Sequence, residues 1–159
     1  MAAMHGAMVA SAMHIRPATA DDTDAIAAID HAAKAAALGE VRWAHTPAEV
    51  RGWLEAVRLP AGGCWLAEVE AAPLGYMALR DDWVEQLYVA PRVWRSGVGT
   101  ALLNHAKALH PAGLRLWCFQ TNLPARAFYL KHGFRVERLT DGAGNEEREP
   151  DMLFSWPEP

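Results

Sequence analysis

The chain has 159 residues, of which 52% are hydrophobic and 21% charged, a composition that suits a globular domain with a core and excludes a disordered chain. Its formal net charge of −4 argues against a nucleic-acid partner held by a general positive field. Its apolar runs are shorter than the roughly 20 residues that cross a bilayer, so we predict no membrane partner.

Residues 1–12 are predicted to form a flexible leader, and residues 13–159 a single domain. The leader lacks the basic start of a secretory signal peptide, so we expect a cytoplasmic protein. Cys64 and Cys118 lie far apart in apolar runs, which favours buried thiols over a disulfide. The histidines show no HExxH or similar spacing, so we expect no structural metal.

The first half of the chain predicts a strand, two helices and a hairpin. Thr19 precedes three aspartates, which is typical of a helix start, and Gly39 ends that helix. Pro47 marks the start of a second helix. The predicted segments are a strand ending at 14–16, a helix with Ile26, Ile29 and Ala33 on one face, a helix with Val50, Trp53, Leu54 and Val57 on one face, and strands 64–69 and 74–79 as an antiparallel pair.

The second half predicts alternating strands and helices that end in another antiparallel pair. The predicted segments are strand Val84–Val89, a helix with Val98, Leu102, Ala106 and Leu109 on one face, strand Leu114–Phe119 buried on both faces, a helix of about ten residues ended by Gly133, and strands 134–139 and 152–156. This order predicts an α/β (α+β) fold with a mixed, twisted sheet of about seven strands flanked by about four helices.

The loop between Val89 and the following helix carries the chemistry of an anion site. Gly97 and Gly99 let the backbone approach a ligand where a Cβ would obstruct it. The free N–H groups of the first helical turn then point at the anion, with the helix dipole behind them. The arrangement predicts a pyrophosphate site.

Three short motifs lie within residues 84–134. They read Leu-Tyr-Val-x-Pro from 87, Gly-x-Gly-x-x-Leu-Leu from 97, and Asn-x-x-Ala-x-x-Phe-Tyr-x-x-x-Gly-Phe from 122. Together they resemble the GNAT superfamily of acetyl-CoA-dependent N-acetyltransferases, and the element order fits that family as well. The resemblance implies a GNAT-like sheet whose central parallel strands splay apart.

The loop departs from the family at two positions. The family pattern is Gln/Arg-Gly-x-Gly-x-Gly/Ala, whereas this chain has Trp94 at the first position and Arg95 at the second. Backbone donors need no particular side chain, so the phosphate site is expected to survive. Arg95 either adds a contact to a phosphate or points to solvent.

The resemblance implies acetyl-CoA as cosubstrate, between strands Val84–Val89 and Leu114–Phe119. Backbone groups of Leu87 and Val89 would pair with the pantetheine arm, and N–H groups from 95 to 100 would hold the pyrophosphate. Asn122 could instead be a plain helix cap, and Thr100 a surface residue. The implied cofactor-binding residues are Leu87, Tyr88, Val89, Trp94, Arg95, Ser96, Gly97, Val98, Gly99, Thr100, Asn122, Ala125, Phe128 and Tyr129.

Two residues are predicted to be catalytic. An alkyl ammonium must lose a proton before it can attack a thioester, and strand alternation places Glu85 on the face of Leu87 and Val89, so Glu85 is the predicted base. The alternative is that Glu85 is a solvated charge at the end of the strand. The resemblance implies that Tyr129 lies near the thioester sulfur, so Tyr129 is the predicted acid, with a core tyrosine as the alternative.

The acceptor pocket is expected to come from Trp43, His45 and Trp83, each of which could instead belong to the core or the rim. The acidic run 144–151 is a solvated turn or an attractant for a cationic amine. We predict an N-acetyltransferase that acts on a primary amine by direct attack in a ternary complex, and a homodimer is possible. The alternative is a non-catalytic acyl-CoA-binding regulatory module. A dinucleotide site is discounted because the glycine loop comes late in the chain.

Overall fold

The computed structural model describes residues 12–157, so almost all of the predicted leader lies outside the described residues. Residues 12–157 contain seven strands and four α-helices in the predicted order. The strands are β1 (His14–Pro17), β2 (Cys64–Val69), β3 (Ala72–Arg80), β4 (Trp83–Val89), β5 (Leu114–Phe119), β6 (Arg135–Leu139) and β7 (Asp151–Trp156). The helices are α1 (Thr23–Ala37), α2 (Pro47–Trp53), α3 (Val98–Leu109) and α4 (Leu123–Lys131).

The strands form one mixed sheet in the order β1-β2-β3-β4-β5-β7-β6. Strands β4 and β5 are parallel, and the other neighbours in the sheet are antiparallel. Both predicted antiparallel pairs, β2 with β3 and β6 with β7, are confirmed. Because β7 lies between β5 and β6, the loop from 140 to 150 emerges beside the centre of the sheet.

Two apolar clusters cover opposite faces of the sheet. On the face that we call the α3 face, Leu102 and Tyr129 pack with Leu87 and Val89 at their margin. On the α1 face, Ile26 and Leu54 pack against Tyr76, with Tyr88 at the margin. Successive residues of β4 therefore belong to different clusters, as strand alternation requires. Cys118 lies in the first cluster and Cys64 in the second, so both are buried thiols, as predicted.

Helix α2 starts as predicted, but its apolar stripe is wrong at the end. Thr46 caps the helix by accepting the N–H of Glu49 at 3.2 Å, and the chain then continues as a π-helical turn from Leu54 to Arg58. In that turn the N–H of Leu59 donates to the carbonyl of Leu54 at 2.9 Å. The wider turn rotates Arg58 inward, whereas Val57 is 54% exposed.

Strand β5 was predicted to be buried on both faces, which is wrong. Its burial alternates, with Leu114, Leu116 and Cys118 buried and Trp117 39% exposed. Helix α1 covers β3 and β4, so the α1 face of β5 is left open. No helix among residues 12–157 is long and apolar enough to cross a membrane.

Candidate active site

The two central parallel strands separate almost as soon as they meet. Their register contains one pair, Trp83 with Arg115, and the N–H of Arg115 donates to the carbonyl of Asp82 at 2.9 Å. Strand β5 follows β7 over its whole length instead. The gap opens into a cavity of about 770 Å³ lined by β4, β5, α1 and the β6–β7 loop. This size is in the range of small-molecule sites.

Backbone groups of β4 face this gap. The N–H of Ala90 donates to the carbonyl of Leu74 in β3 at 2.8 Å. Because backbone groups alternate along an antiparallel strand, those of Leu87 and Val89 point away from β3, toward the gap that β5 leaves open. Leu87 and Tyr88 both line the cavity. The edge is suited to an extended ligand that pairs with strand backbone.

The glycine loop opens α3 as predicted. Gly97 is the N-cap residue with φ +91°, a conformation that favours glycine, and the first helical hydrogen bond runs from Ala101 to its carbonyl at 3.0 Å. The N–H groups of Val98, Gly99 and Thr100 precede that bond and so have no partner within the helix. They form a concentrated set of donors for an anion.

Side chains fix the loop to the end of β4. The indole N–H of Trp94 donates to the carbonyl of Val89 at 2.7 Å, and the hydroxyl of Ser96 donates to the carbonyl of Val93. Trp94 is otherwise 41% exposed. Its indole therefore positions the loop while taking up one carbonyl of the gap-facing edge.

Arg95 adopts φ +63°, a left-handed conformation that costs a non-glycine residue about 1 kcal/mol. Glycine, which stands at this position in the family that the sequence resembles, adopts this conformation without strain. We therefore expect Arg95→Gly to stabilise the protein by about 1 kcal/mol, raising Tm by roughly 2–4 °C. Calorimetric unfolding measures this change, and an unchanged or lower Tm would show that the backbone at Arg95 is not strained. The affinity for coenzyme A, measured on the same samples, falls if the guanidinium contacts a phosphate.

The start of α4 packs against the start of α3. Asn122 caps α4 by accepting the N–H of Ala125 at 3.2 Å, which is one of its two predicted roles. It also lines the cavity, and its contact with a cofactor stays a prediction. The ring of Phe128 lies 3.4 Å from the position that a Cβ on Gly99 would occupy. The hydroxyl of Thr100 lies 3.0 Å from Nε2 of His132, a partner that the sequence did not suggest.

Tyr129 is buried and lines the cavity beside Cys118. Burial raises the pKa of Tyr129 well above its ordinary value, with the neighbouring Cys118 thiol adding to the effect. Burial also raises the pKa of Cys118 to about 12. Both groups therefore stay protonated near neutral pH, so Tyr129 carries a proton, although the raised pKa makes it a weaker acid than a free tyrosine, and Cys118 lacks thiolate character.

Glu85 is not on the face that strand alternation predicts. The register pairs Ala78 with Gln86 and Leu79 with Val84, so Glu85 is the extra residue of a β-bulge. Its side chain lines the cavity, with one carboxylate oxygen 2.5 Å from Nε of Arg80 and the other 3.7 Å from Nε of Arg58. Both carboxylate oxygens of Glu85 therefore lie beside guanidinium groups, and the role of base stays a prediction.

The three residues predicted for the acceptor pocket lie in different places. Trp43 lines the cavity. The ring of Trp83 lies under the guanidinium of Arg115 at 4.4 Å, where the two strands still pair, outside the cavity lining. His45 is exposed, and its Nε2 lies 2.8 Å from a carboxylate oxygen of Glu146, which raises the pKa of His45.

Several cavity residues escaped individual prediction because they come from distant segments. Lys34 comes from α1, Gln86 and Trp117 from the two splayed strands, Arg138 from β6, and Glu147 from the β6–β7 loop. Glu147 lies in the acidic run, which the sequence left open between a turn and an attractant for amines. The strand order β5-β7-β6, which no local pattern specifies, brings Arg138 and Glu147 to the cavity.

The two parallel strands splay over a cavity beside a helix N-terminus whose first N–H groups are free, an arrangement that suits an extended ligand with an anionic end. The sequence model of the Acetyltransferase (GNAT) family matches residues 26–134. The chain belongs to the GNAT family and is an N-acetyltransferase. Peptidyl-lysine N-acetyltransferase YiaC of Escherichia coli (strain K12) is 28% identical over 128 residues, covering 76% of this chain and 85% of that protein.

Solved structures share the fold. The solution structure of apo-form YjaB from Escherichia coli superposes with a TM-score of 0.73 at 26% identity, covering 91% of this chain and 97% of that one. The PaiA N-acetyltransferase of Thermoplasma acidophilum, solved in complex with coenzyme A, has a TM-score of 0.69 at 17% identity, covering 92% of this chain and 99% of that one. At that identity the likeness concerns the fold alone.

Proposed function

We propose that this protein transfers the acetyl group of acetyl-CoA to the side-chain amine of lysine in a protein or peptide. The observation that carries the proposal is the separation of β4 from β5 after a single residue pair, which opens the cavity between them. The acceptor class is supported by YiaC, a relative named as a peptidyl-lysine N-acetyltransferase.

In this proposal the cosubstrate lies along β4. The N–H groups of Val98, Gly99 and Thr100 hold the pyrophosphate at the start of α3. The pantetheine arm pairs with the gap-facing backbone of Leu87 and Val89, and a strand N–H near Leu87 stabilises the oxyanion that forms at the thioester carbonyl. These donors are fixed before the ligand arrives, since the sheet and helix hold them.

The amine attacks the thioester directly in a ternary complex. Its nitrogen forms the new C–N bond, the C–S bond breaks, and the electron pair of that bond goes to the coenzyme A sulfur. Tyr129, kept protonated by burial, donates the proton that the departing thiolate takes up and recovers one from the amine. Direct attack is also consistent with Cys118, whose raised pKa makes it a poor nucleophile for an acetyl-enzyme.

The acceptor amine must first become neutral. A lysine ammonium with a pKa near 10.4 is neutral in about 1 molecule in 2,500 at pH 7, which adds roughly 4–5 kcal/mol to the barrier if no group assists. Glu85 is the base that the family resemblance predicts, and its carboxylate lies beside Arg58 and Arg80. Comparing the pH–rate profiles of wild type and Glu85→Gln decides this role.

The proposed function is tested by incubating the purified protein with acetyl-CoA and a panel of amines. The panel holds lysine peptides, peptides with a free N-terminus, polyamines and free amino acids. We expect free thiol to be released fastest with lysine peptides, and mass spectrometry to find the acetyl group on Nζ. Binding of coenzyme A without thiol release by any amine would contradict the proposal and favour a regulatory acyl-CoA-binding module, which the comparisons do not favour.

A further inference from the structure

Three carboxylates line the cavity within residues 12–157, namely Glu85, Glu147 and Asp151. Glu85 is held by Arg58 and Arg80. Asp151 is buried, and its carboxylate accepts the hydroxyl of Thr140 and the amide of Asn145, the latter at 3.0 Å. For Glu147 the described residues provide no hydrogen bond and no ion pair. It is the carboxylate of the cavity that is left for a ligand.

The β6–β7 loop has a compact, hydrogen-bonded shape that aims Glu147 inward. The amide of Asn145 donates to the carbonyl of Glu149 at 2.7 Å, and its oxygen accepts the N–H of Glu149 at 3.2 Å. Gly142 has φ +83°, and a Cβ there would lie 2.4 Å from the carbonyl carbon of Glu149. Held in this way, the loop leaves Glu146 exposed and Glu147 half-buried at the cavity.

A second polar group of the cavity lacks a partner. The side-chain oxygen of Gln86 is buried and accepts no hydrogen bond from residues 12–157. Gln86 lines the same cavity as Glu147, from the opposite wall on β4. A buried acceptor without a donor is unfavourable, and this oxygen is closed off from the cavity, so Gln86 satisfies it only when the side chain turns toward an N–H group.

Of the two cations in the lining, Lys34 is paired with a carboxylate, whereas Arg138 contacts only an aromatic ring among residues 12–157. Nζ of Lys34 lies 2.8 Å from a carboxylate oxygen of Asp30 and 4.6 Å from the ring centre of Trp43. The guanidinium of Arg138 lies 5.3 Å from the ring centre of Trp117. The aromatic rings give the cavity apolar walls that suit the methylene chain of a lysine.

We propose that Glu147 binds the ammonium group of the acceptor lysine, and that the side chain of Gln86 turns so that its oxygen accepts a hydrogen bond from the same group. This inference rests on the proposed function and names the residues that select a cationic acceptor. Burial is the main cause of the raised pKa of Tyr88, and the charges of Asp30 and Glu147 add to it.

The test compares a short peptide that has one central lysine with the same peptide carrying norleucine, a neutral isostere. Wild-type KM for the lysine peptide and Ki for the norleucine peptide are measured beside those of Glu147→Gln. We expect Glu147→Gln to raise KM about ten- to hundredfold and to leave Ki unchanged, because a charge-assisted contact is lost and the apolar contacts remain. Gln86→Leu should raise KM by a smaller factor.

The matched control is Glu146→Gln, which removes the same charge from the neighbouring, exposed position of the loop. Its KM should stay within about twofold of wild type, because solvent screens an exposed charge. A KM for Glu147→Gln within twofold of wild type, or an equal loss in Glu146→Gln, overturns the inference while the proposed function stands. A wild-type protein that binds coenzyme A but does not acetylate the lysine peptide overturns the proposed function itself.

Discussion

Gly97→Val should abolish the binding of coenzyme A, raising Kd by roughly a hundredfold or more. Gly97 has φ +91°, which a β-branched residue adopts only at a cost of about 1–3 kcal/mol. The space around its Cβ position is open, so valine clashes with nothing in the protein. The loss arises because the loop relaxes away from the geometry that aims the helix N–H groups, and because the new side chain occupies space needed by the phosphates.

Gly62→Val is the matched control for this prediction. Gly62 has φ +77° and equally open surroundings, and it lies in a turn after α2, away from the cavity. Both variants should lose similar stability, and only Gly97→Val should lose affinity in a calorimetric titration with coenzyme A. If Gly97→Val binds as wild type does, the pyrophosphate lies elsewhere. An equal loss of affinity in both variants would mean that general destabilisation is the cause.

Arg58→Met should destabilise the protein by about 3 kcal/mol. The side chain is 6% exposed and donates to the carbonyls of Gly62 at 3.0 Å and Leu79 at 2.7 Å, while its Nε faces the carboxylate of Glu85. Methionine fills a similar volume but supplies none of these donors, so it leaves two carbonyls without their donor, while Glu85 keeps its contact with Arg80. Urea unfolding followed by circular dichroism measures the change in the free energy of unfolding.

Arg80→Met provides the comparison for Arg58→Met. Arg80 also contacts Glu85, at 2.5 Å, but its side chain is 68% exposed, so water replaces the lost contact and stability should barely change. Similar losses in both variants would show that the contact with Glu85, and not the buried carbonyl contacts, provides the stability. A small loss in Arg58→Met would mean that its neighbours rearrange or admit water.

The elements of this fold could be read from the sequence because their signals are local. Pro47 and Asn122 mark helix starts, Gly133 ends α4, and alternating apolar residues mark the strands. The glycine loop was predicted for the same reason, since its function depends on one turn of backbone between β4 and α3.

The features that escaped prediction depend on contacts between distant segments. The bulge at Glu85 exists because β3 and β4 pair out of step, and it moves that carboxylate toward Arg58 on the other face. Trp117 is partly exposed because helix α1 covers β3 and β4 but not β5. Glu147 lies at the cavity because β7 is placed between β5 and β6 in the sheet. No pattern within a single element carries this information.

Trp94 and Arg95, the two residues at which the loop departs from the family pattern, both leave its backbone geometry intact. Trp94 replaces a polar residue, yet its indole N–H holds the loop to the end of β4. Arg95 stands in a left-handed conformation that a glycine would adopt without strain. The backbone geometry of the loop is therefore kept, in part at the expense of local strain.

The most direct test of the account follows an isotope-labelled acetyl group from acetyl-CoA in the presence of the purified protein and a lysine peptide. We expect the label to appear on Nζ of the lysine, with one free thiol released for each labelled peptide and with no label on the protein. Thiol release without labelled peptide would mean hydrolysis of the thioester. Label on Cys118 or another protein residue would mean a covalent intermediate, and either result would contradict direct transfer to a lysine.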